Sequence, residues 1–175
     1  GLDRALAYAR HFPSINWLTS YSEYAADLKP WYDANVSPDF VPCRNKISNL
    51  LQEESSLMEI VKLIGADILP EDQKLVIETA KLIRVGFLQQ NAYHDIDTYV
   101  PLEKQLKMMQ VILRLYNGAR ALIARSIPLS QLRATGIFET LTKIKYEIAN
   151  DQLEKFAEYD ALVDEALDTV DKANR

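Results

Sequence analysis

The stretch RNKISNLLQEESSLMEIVKLIGADILPEDQKLVIETAKLIRVGF, residues 44–87, decides the fold. Ile47, Leu50, Leu51, Leu57, Val61 and Ile64 recur at the three-and-four spacing that gathers side chains on one face of an α-helix. Gly65 follows at once and is expected to end that helix as a left-handed cap. Beyond the loop ADILPED, Leu75, Thr79, Leu82, Ile83 and Phe87 share a second helical face. Glu71 and Asp72 fall in its first turn, where the helix dipole favours carboxylates. Two helices joined by so short a loop are expected to fold back as an antiparallel hairpin.

Working outward, Pro101 is placed to be the first residue of a third long helix, with Leu102, Leu106, Met109, Leu113, Tyr116 and Ile123 as its buried stripe. Pro128 stops it near Ser126, Ser130 is expected to cap a short helix, and helical spacing resumes at residues 137–148 after Gly136. Leu153, Phe156, Asp160, Val163, Leu167 and Val170 make a coiled-coil-like seam broken by one Asp, expected of a solvent-facing or partner-facing terminal helix. Residues 18–40 are rich in Tyr, Trp, Ser and Pro and are read as short helices and packed loop, with Trp17, Tyr21, Tyr24, Trp31 and Tyr32 at a core or a domain interface. No segment alternates with period two, and there is no repeat or low-complexity tract. The expected fold is an all-α helical bundle with a central helix hairpin and a long C-terminal helix. Residues 1–175 are expected to form one domain: an aromatic-rich entry segment at 1–40, a bundle at 41–146 and a terminal helix at 147–175.

With 48% hydrophobic and 26% charged residues the chain belongs with globular proteins that bury their own core. A net charge of −5 argues against a nucleic-acid partner, since phosphate contacts draw on clustered Lys and Arg. Cys43 is the only cysteine, which rules out an internal disulfide and a thiolate metal cluster. No apolar run approaches the roughly 20 residues that cross a bilayer, so direct membrane insertion is not expected. The five glycines are too scattered for a phosphate-cradling loop or a dinucleotide fingerprint. The opening GLDRALAYARHFPSINW enters a dense aromatic run with no capping or linker signal before it, as expected of a piece of a longer protein.

FLQQNAY, residues 87–93, sets two aromatic rings around amide side chains at a helix end, a combination suited to a flat heteroaromatic base. Taken alone, the same residues read more as a buried helix terminus than as a base pocket. His94, Asp95 and Asp97 match no tight zinc or calcium spacing and read as a hydrogen-bonded loop. His11 reads as structural, and Glu53, Glu54 and Arg84 as solvated faces.

ARHFPSINWLTSYSEY (residues 9–24), FLQQNAY and DIDTY (95–99) resemble, in that order, the C-terminal helical domain of the catalytic A subunit of A/V-type ATPases, a likeness that extends to about Tyr146. Residues 63–90 are more weakly similar to the beta subunit of the F-type ATP synthase around its acidic inter-helix loop. The resemblance implies that Phe87, Gln90, Asn91 and Tyr93 contribute the adenine side of a site for ATP or ADP. Phosphates and Mg would be held by an upstream nucleotide-binding domain of the same subunit. It further implies that Asp67, Ile68, Leu69, Pro70, Glu71 and Asp72 touch the central stalk, by apolar and steric contact more than by ion pairing. Partners would be non-catalytic B subunits and central stalk subunits, in a cytoplasmic assembly peripheral to a membrane, moving H⁺ or Na⁺. The fragment alone is expected to carry no catalytic or metal site, to bind no cofactor tightly and to be inactive. A free-standing helical protein–protein interaction module is the alternative. A helical carboxylate metalloenzyme is set aside for want of paired Glu-x-x-His motifs.

Overall fold

The three-and-four stripe beginning at Ile47 forms α3 (Phe40–Ile64), with Ile47, Leu50, Leu51 and Leu57 buried. In the computed structural model, which describes residues 1–20 and 22–175, α3 is one of eight α-helices. Those residues contain no strand, only an isolated bridge between Leu2 and Ile15. Tyr21 of the aromatic run lies outside the described residues. The fold is all-α, as the spacing predicts.

α3 keeps its stripe inside only as far as Leu57: Val61 is half-buried and Ile64 half-exposed, so its last two turns run past the body of the molecule. Gly65 does end the helix at positive φ, but its ψ of 159° is extended, which makes it no left-handed helical cap. α4 (Glu71–Leu82) packs against α3 and buries Leu75, Val76, Thr79, Ala80 and Leu82. Glu54 occupies the same stripe as Leu50 and Leu57, is buried, and forms an ion pair with Arg84. The expectation of a solvated face at these two residues is therefore overturned; a carboxylate on a core stripe is tolerated because a guanidinium meets it.

α5 (Leu102–Ala124) starts one residue after Pro101, which is its cap. It is the central helix: Lys104, Met108, Val111, Ile112 and Leu115 are buried as well as Leu106, Met109 and Leu113, so the apolar surface wraps much further round than one stripe. α6 (Leu129–Ala134) follows Pro128. Ser130 lies inside it and does not cap it; the first helical N–H, at Leu129, donates instead to Glu71 Oε2 on α4 at 2.8 Å. α7 (Ile137–Glu147) buries Ile137, Phe138, Leu141, Ile144 and Lys145.

α8 (Phe156–Ala173) turns its seam inward, against α5, and not toward solvent or a partner. Phe156, Val163 and Val170 are buried there, and Leu167 fits over Gly118. Arg114 grips Asp164 with two hydrogen bonds of 2.8 and 2.6 Å on the surface, and Arg125 pairs with Asp171. Exposed ion pairs of this kind contribute about 0–1 kcal/mol each, against roughly 1.5–3 kcal/mol for each buried apolar side chain. The seam, more than the ion pairs, holds α8 in place.

At the other end, Asp3 caps α1 (Arg4–Tyr8) by accepting from the N–H groups of Ala5 and Leu6, a signal the opening of the sequence does contain. In the entry segment Tyr32, on α2 (Lys29–Asn35), stacks on Phe40 at 4.7 Å, and Trp17 lies against the tilted ring of buried His11 at 5.2 Å. Tyr24 and half of Trp31 remain exposed.

Candidate functional site

α4 does not stop at Leu82 but widens into a six-residue π-helical turn, Ile83–Leu88. Such turns recur at functional sites because they displace side chains from α-helical register. Gly86 lies at its centre, where an added Cβ would stand 3.2 Å from Thr142 Cα on α7. At Gln89 the backbone becomes extended, and from there no regular structure satisfies it.

Three successive residues are fixed from outside instead. Lys145 Nζ donates to the Gln89 carbonyl, Gln90 N–H donates to the Phe12 carbonyl at 2.6 Å, and Asn91 N–H donates to Asp97 Oδ2 at 2.6 Å. Asn91 Oδ1 then accepts the Tyr93 N–H at 3.0 Å, a local turn suited to Asn. His94 and Thr98 close the loop: His94 Nδ1 accepts from Ile96 N–H, and Thr98 Oγ1 donates to the carbonyls of Ala92 and His94.

The loop borders a cleft of about 670 Å³ lined by Phe12, Pro13, Gln90, Asn91, Tyr93 and Tyr146 among others. Tyr93 is 96% exposed, an isolated ring offered to whatever enters. Phe87 does not share this cleft. It lines a neighbouring cavity of about 450 Å³ with Trp17, Tyr32 and Lys145, and Gln90 borders both spaces. The four residues expected to act together are thus divided by the turn at Gln89. The rings that do join Tyr93 at the cleft are Tyr146 and Phe12, and for Phe12 the sequence gives no local sign. Only the long-range bond to Gln90 reveals its place.

Beneath the loop sits a polar core. Lys145 and Asp97, both buried, pair at 3.0 Å, and Asp97 also accepts from Tyr146 Oη at 3.3 Å. Burial holds the Lys145 ammonium below its usual range, opposed by Asp97. Burial also raises the Tyr146 phenol, reinforced by Asp97, and lowers His11, reinforced by Arg84 and Lys145. Among the described residues, Asp97 Oδ1 is buried without a partner. Lys104 Nζ, also buried, donates to the carbonyls of Lys145 and Ile148 at 2.9 and 2.5 Å and to Asn150 Oδ1 at 3.0 Å. The cleft therefore offers aromatic rings and amide edges above a buried network of polar bonds, chemistry for holding a planar heterocycle.

The loop between α3 and α4 forms the other candidate site. Ile68 is 68% and Leu63 85% exposed, with Ile60, Ile64, Asp67, Pro70 and Asp72 also at the surface. Leu69, by contrast, is only 5% exposed and anchors the loop. Glu71 is likewise occupied: besides Leu129 N–H it meets Lys74 at 3.0 Å, and the Leu129 bond foremost holds its carboxyl below the ordinary glutamate range. Leu63 and Ile64 extend this surface beyond the six residues expected of it; Leu63 standing off the buried stripe was the available sign.

These features define a helical domain that presents an aromatic cleft on one side and an apolar helix-pair tip on another. Residues 29–133 match the family model for the C-terminal domain of V and A type ATP synthase, and the chain belongs to that family. It is 54% identical over 153 residues to V-type ATP synthase alpha chain 2 of Clostridium tetani, covering 87% of this chain and 26% of that protein. It is 46% identical over 164 residues to the V-type ATP synthase alpha chain of Halothermothrix orenii, covering 94% and 28%. Against the A subunit of the A-type ATP synthase of Methanosarcina acetivorans the figure is 47% over 146 residues, covering 83% and 25%. The chain spans about a quarter of the length of these curated relatives. Among the described residues no helix is long and apolar enough to cross a membrane.

Proposed function

We propose that the chain lends the base-facing wall of an ATP site, and a stalk-contacting tip, to the catalytic subunit of a rotary ATPase that couples ATP hydrolysis or synthesis to movement of H⁺ or Na⁺. The observation that carries the reading is the cleft of about 670 Å³ where the rings of Phe12 and Tyr93 meet the amides of Gln90 and Asn91. A ring stacked on a base contributes about 1–3 kcal/mol, and an amide can serve both donors and acceptors on the base edge. Phe87 acts from behind, backing Gln90 across the adjoining cavity.

With no glycine loop of its own, the chain leaves the phosphates and Mg to an upstream nucleotide-binding domain of the same subunit. The cleft recognises and orients; its residues supply no bond-breaking step. At the tip, Ile68, Pro70, Asp67 and Asp72, joined by Leu63 and Ile64, form the contact with the central stalk, while Leu69 and Glu71 hold that surface in shape. Non-catalytic B subunits complete the ring, which lies peripheral to the membrane.

The test is steady-state kinetics of the assembled complex carrying the full-length subunit. Tyr93→Ala and Phe12→Ala should each raise the KM for ATP about tenfold while kcat is retained, the signature of lost ground-state binding. An unchanged KM in both variants would overturn the base-binding reading.

A further inference from the structure

We infer that Lys145 and Asp97 are positioning residues for the base cleft: their buried ion pair fixes the backbone of residues 89–91 in the course that presents Gln90, Asn91 and Tyr93 to a ligand. The inference rests on the base-binding reading and adds to it the device that holds the wall in place.

Stability alone does not explain the pair. Taking an ammonium and a carboxylate out of water costs several kcal/mol each, and a well-packed apolar replacement is often neutral or better. What distinguishes this pair is where its other bonds go. Lys145 Nζ reaches back to the Gln89 carbonyl, and Asp97 Oδ2 reaches forward to the Asn91 N–H at 2.6 Å. The residue between them, Gln90, is held by the Phe12 carbonyl at 2.6 Å, which ties the opposite wall of the cleft to the same stretch. Each of three consecutive residues thus has a backbone group gripped from outside the helix, Gln89 and Gln90 from distant parts of the chain and Asn91 from Asp97 six residues on, just where the helix has ended at Leu88.

The grip is itself anchored. Lys145 sits in the last turn of α7, and its carbonyl and that of Ile148, just past the helix end, accept from Lys104 on the central helix α5. Asn150, which also accepts from Lys104, donates its amide to the carbonyls of Ile96 and Tyr99 on either side of Asp97's loop. The cleft wall is therefore fastened to the buried first turn of α5 by a closed circuit of polar bonds. The orphaned Asp97 Oδ1 agrees with a carboxylate placed for the sake of Asn91 and Lys145 and not for its own full satisfaction.

The experiment compares Lys145→Met, Asp97→Asn and the double variant in the assembled complex, reading ATP kinetics, thermal stability and hydrogen exchange at the Asn91 amide. Lys145→Met should raise the KM for ATP about tenfold with kcat within about twofold, and the Asn91 amide should lose protection. The double variant removes both buried charges, so its stability should recover while its KM stays raised, because the tethers to Gln89 and Asn91 remain weakened. Recovery of KM along with stability would reduce the pair to charge balance and overturn the inference. So would a destabilised Lys145→Met with wild-type KM. If the single variant fails to assemble, the double variant decides alone: a raised KM and an unprotected Asn91 amide support the role, wild-type values overturn it. A raised KM in Tyr93→Ala and Phe12→Ala beside a wild-type KM in the double variant sinks the positioning role only. Wild-type KM in those two ring variants sinks the base-binding reading instead.

Discussion

Gly118 shows how little space separates α5 from α8, since a Cβ there would stand 2.2 Å from Leu167 Cδ1. Alanine at 118 gains helix propensity but forces Leu167 to move, and overpacking of this kind costs about 1–3 kcal/mol. Urea unfolding of Gly118→Ala, Leu167→Ala and the double variant should therefore reveal coupling: the double variant should be more stable than the sum of the singles by about 1 kcal/mol. Simple additivity would mean that Leu167 can step aside freely. Glu71 supports a second expectation. Its folded-state carboxyl lies below its ordinary value, chiefly because of the Leu129 N–H. The sign follows: its contribution is fully present above the unfolded glutamate range, near pH 4.3, and is lost as pH falls through the lower folded value. Glu71→Gln should flatten the acid limb of a stability-versus-pH curve; an unaltered limb would assign the acid sensitivity to other carboxylates. At this scale only part of the candidate cleft's lining was legible in the sequence. Gln90, Asn91 and Tyr93 could be read from one short block because they are neighbours. Phe12 and Lys145 could not, because their places beside the loop arise from bonds to Gln90 and Gln89, far away along the chain, that no local spacing encodes.

Among the elements, the helices were legible because burial on one side of a helix leaves a three-and-four trace. The exceptions have physical causes. Nothing in IRVGFL distinguishes a π-helical turn from an α-helical one; the wider turn is a tertiary effect next to α7, with only Gly86 as its mark. Glu54 misled because a charged residue is scored as outward, although its interval from Leu50 and Leu57 put it on the core face. The exposed end of α3 also defeated the pattern, since Ile64 continues the stripe into solvent. That apolar end supplies a prediction. Leu63→Asp together with Ile68→Asp should leave the melting temperature of the domain nearly unchanged, because neither side chain is buried and surface changes stay within about 0.5 kcal/mol. In the membrane-bound complex the same variant should hydrolyse ATP while transporting fewer ions per ATP consumed. Undiminished transport per ATP would remove the tip from the stalk contact.

For the molecule as a whole, α8 is the element whose role the sequence misplaced. Its seam could be read, yet a seam does not state its partner, and here the partner is α5 of the same chain. Phe156, Val163 and Val170 at roughly 1.5–3 kcal/mol each approach the 5–15 kcal/mol that ordinarily separates folded from unfolded domains. Removal of residues 156–175 should therefore abolish cooperative thermal unfolding by circular dichroism. A sharp transition near that of the intact chain would show that α5 can do without this cover. The bond from Leu129 to Glu71 has a mechanical meaning at this scale. It rivets the root of the projecting tip to the first turn of α6, so a sideways load on Ile68 would be shared between that joint and the buried apolar face of α4. Protonation of Glu71 would weaken that rivet, and because its carboxyl lies below the ordinary glutamate range the root of the tip stays fastened until the pH falls lower still.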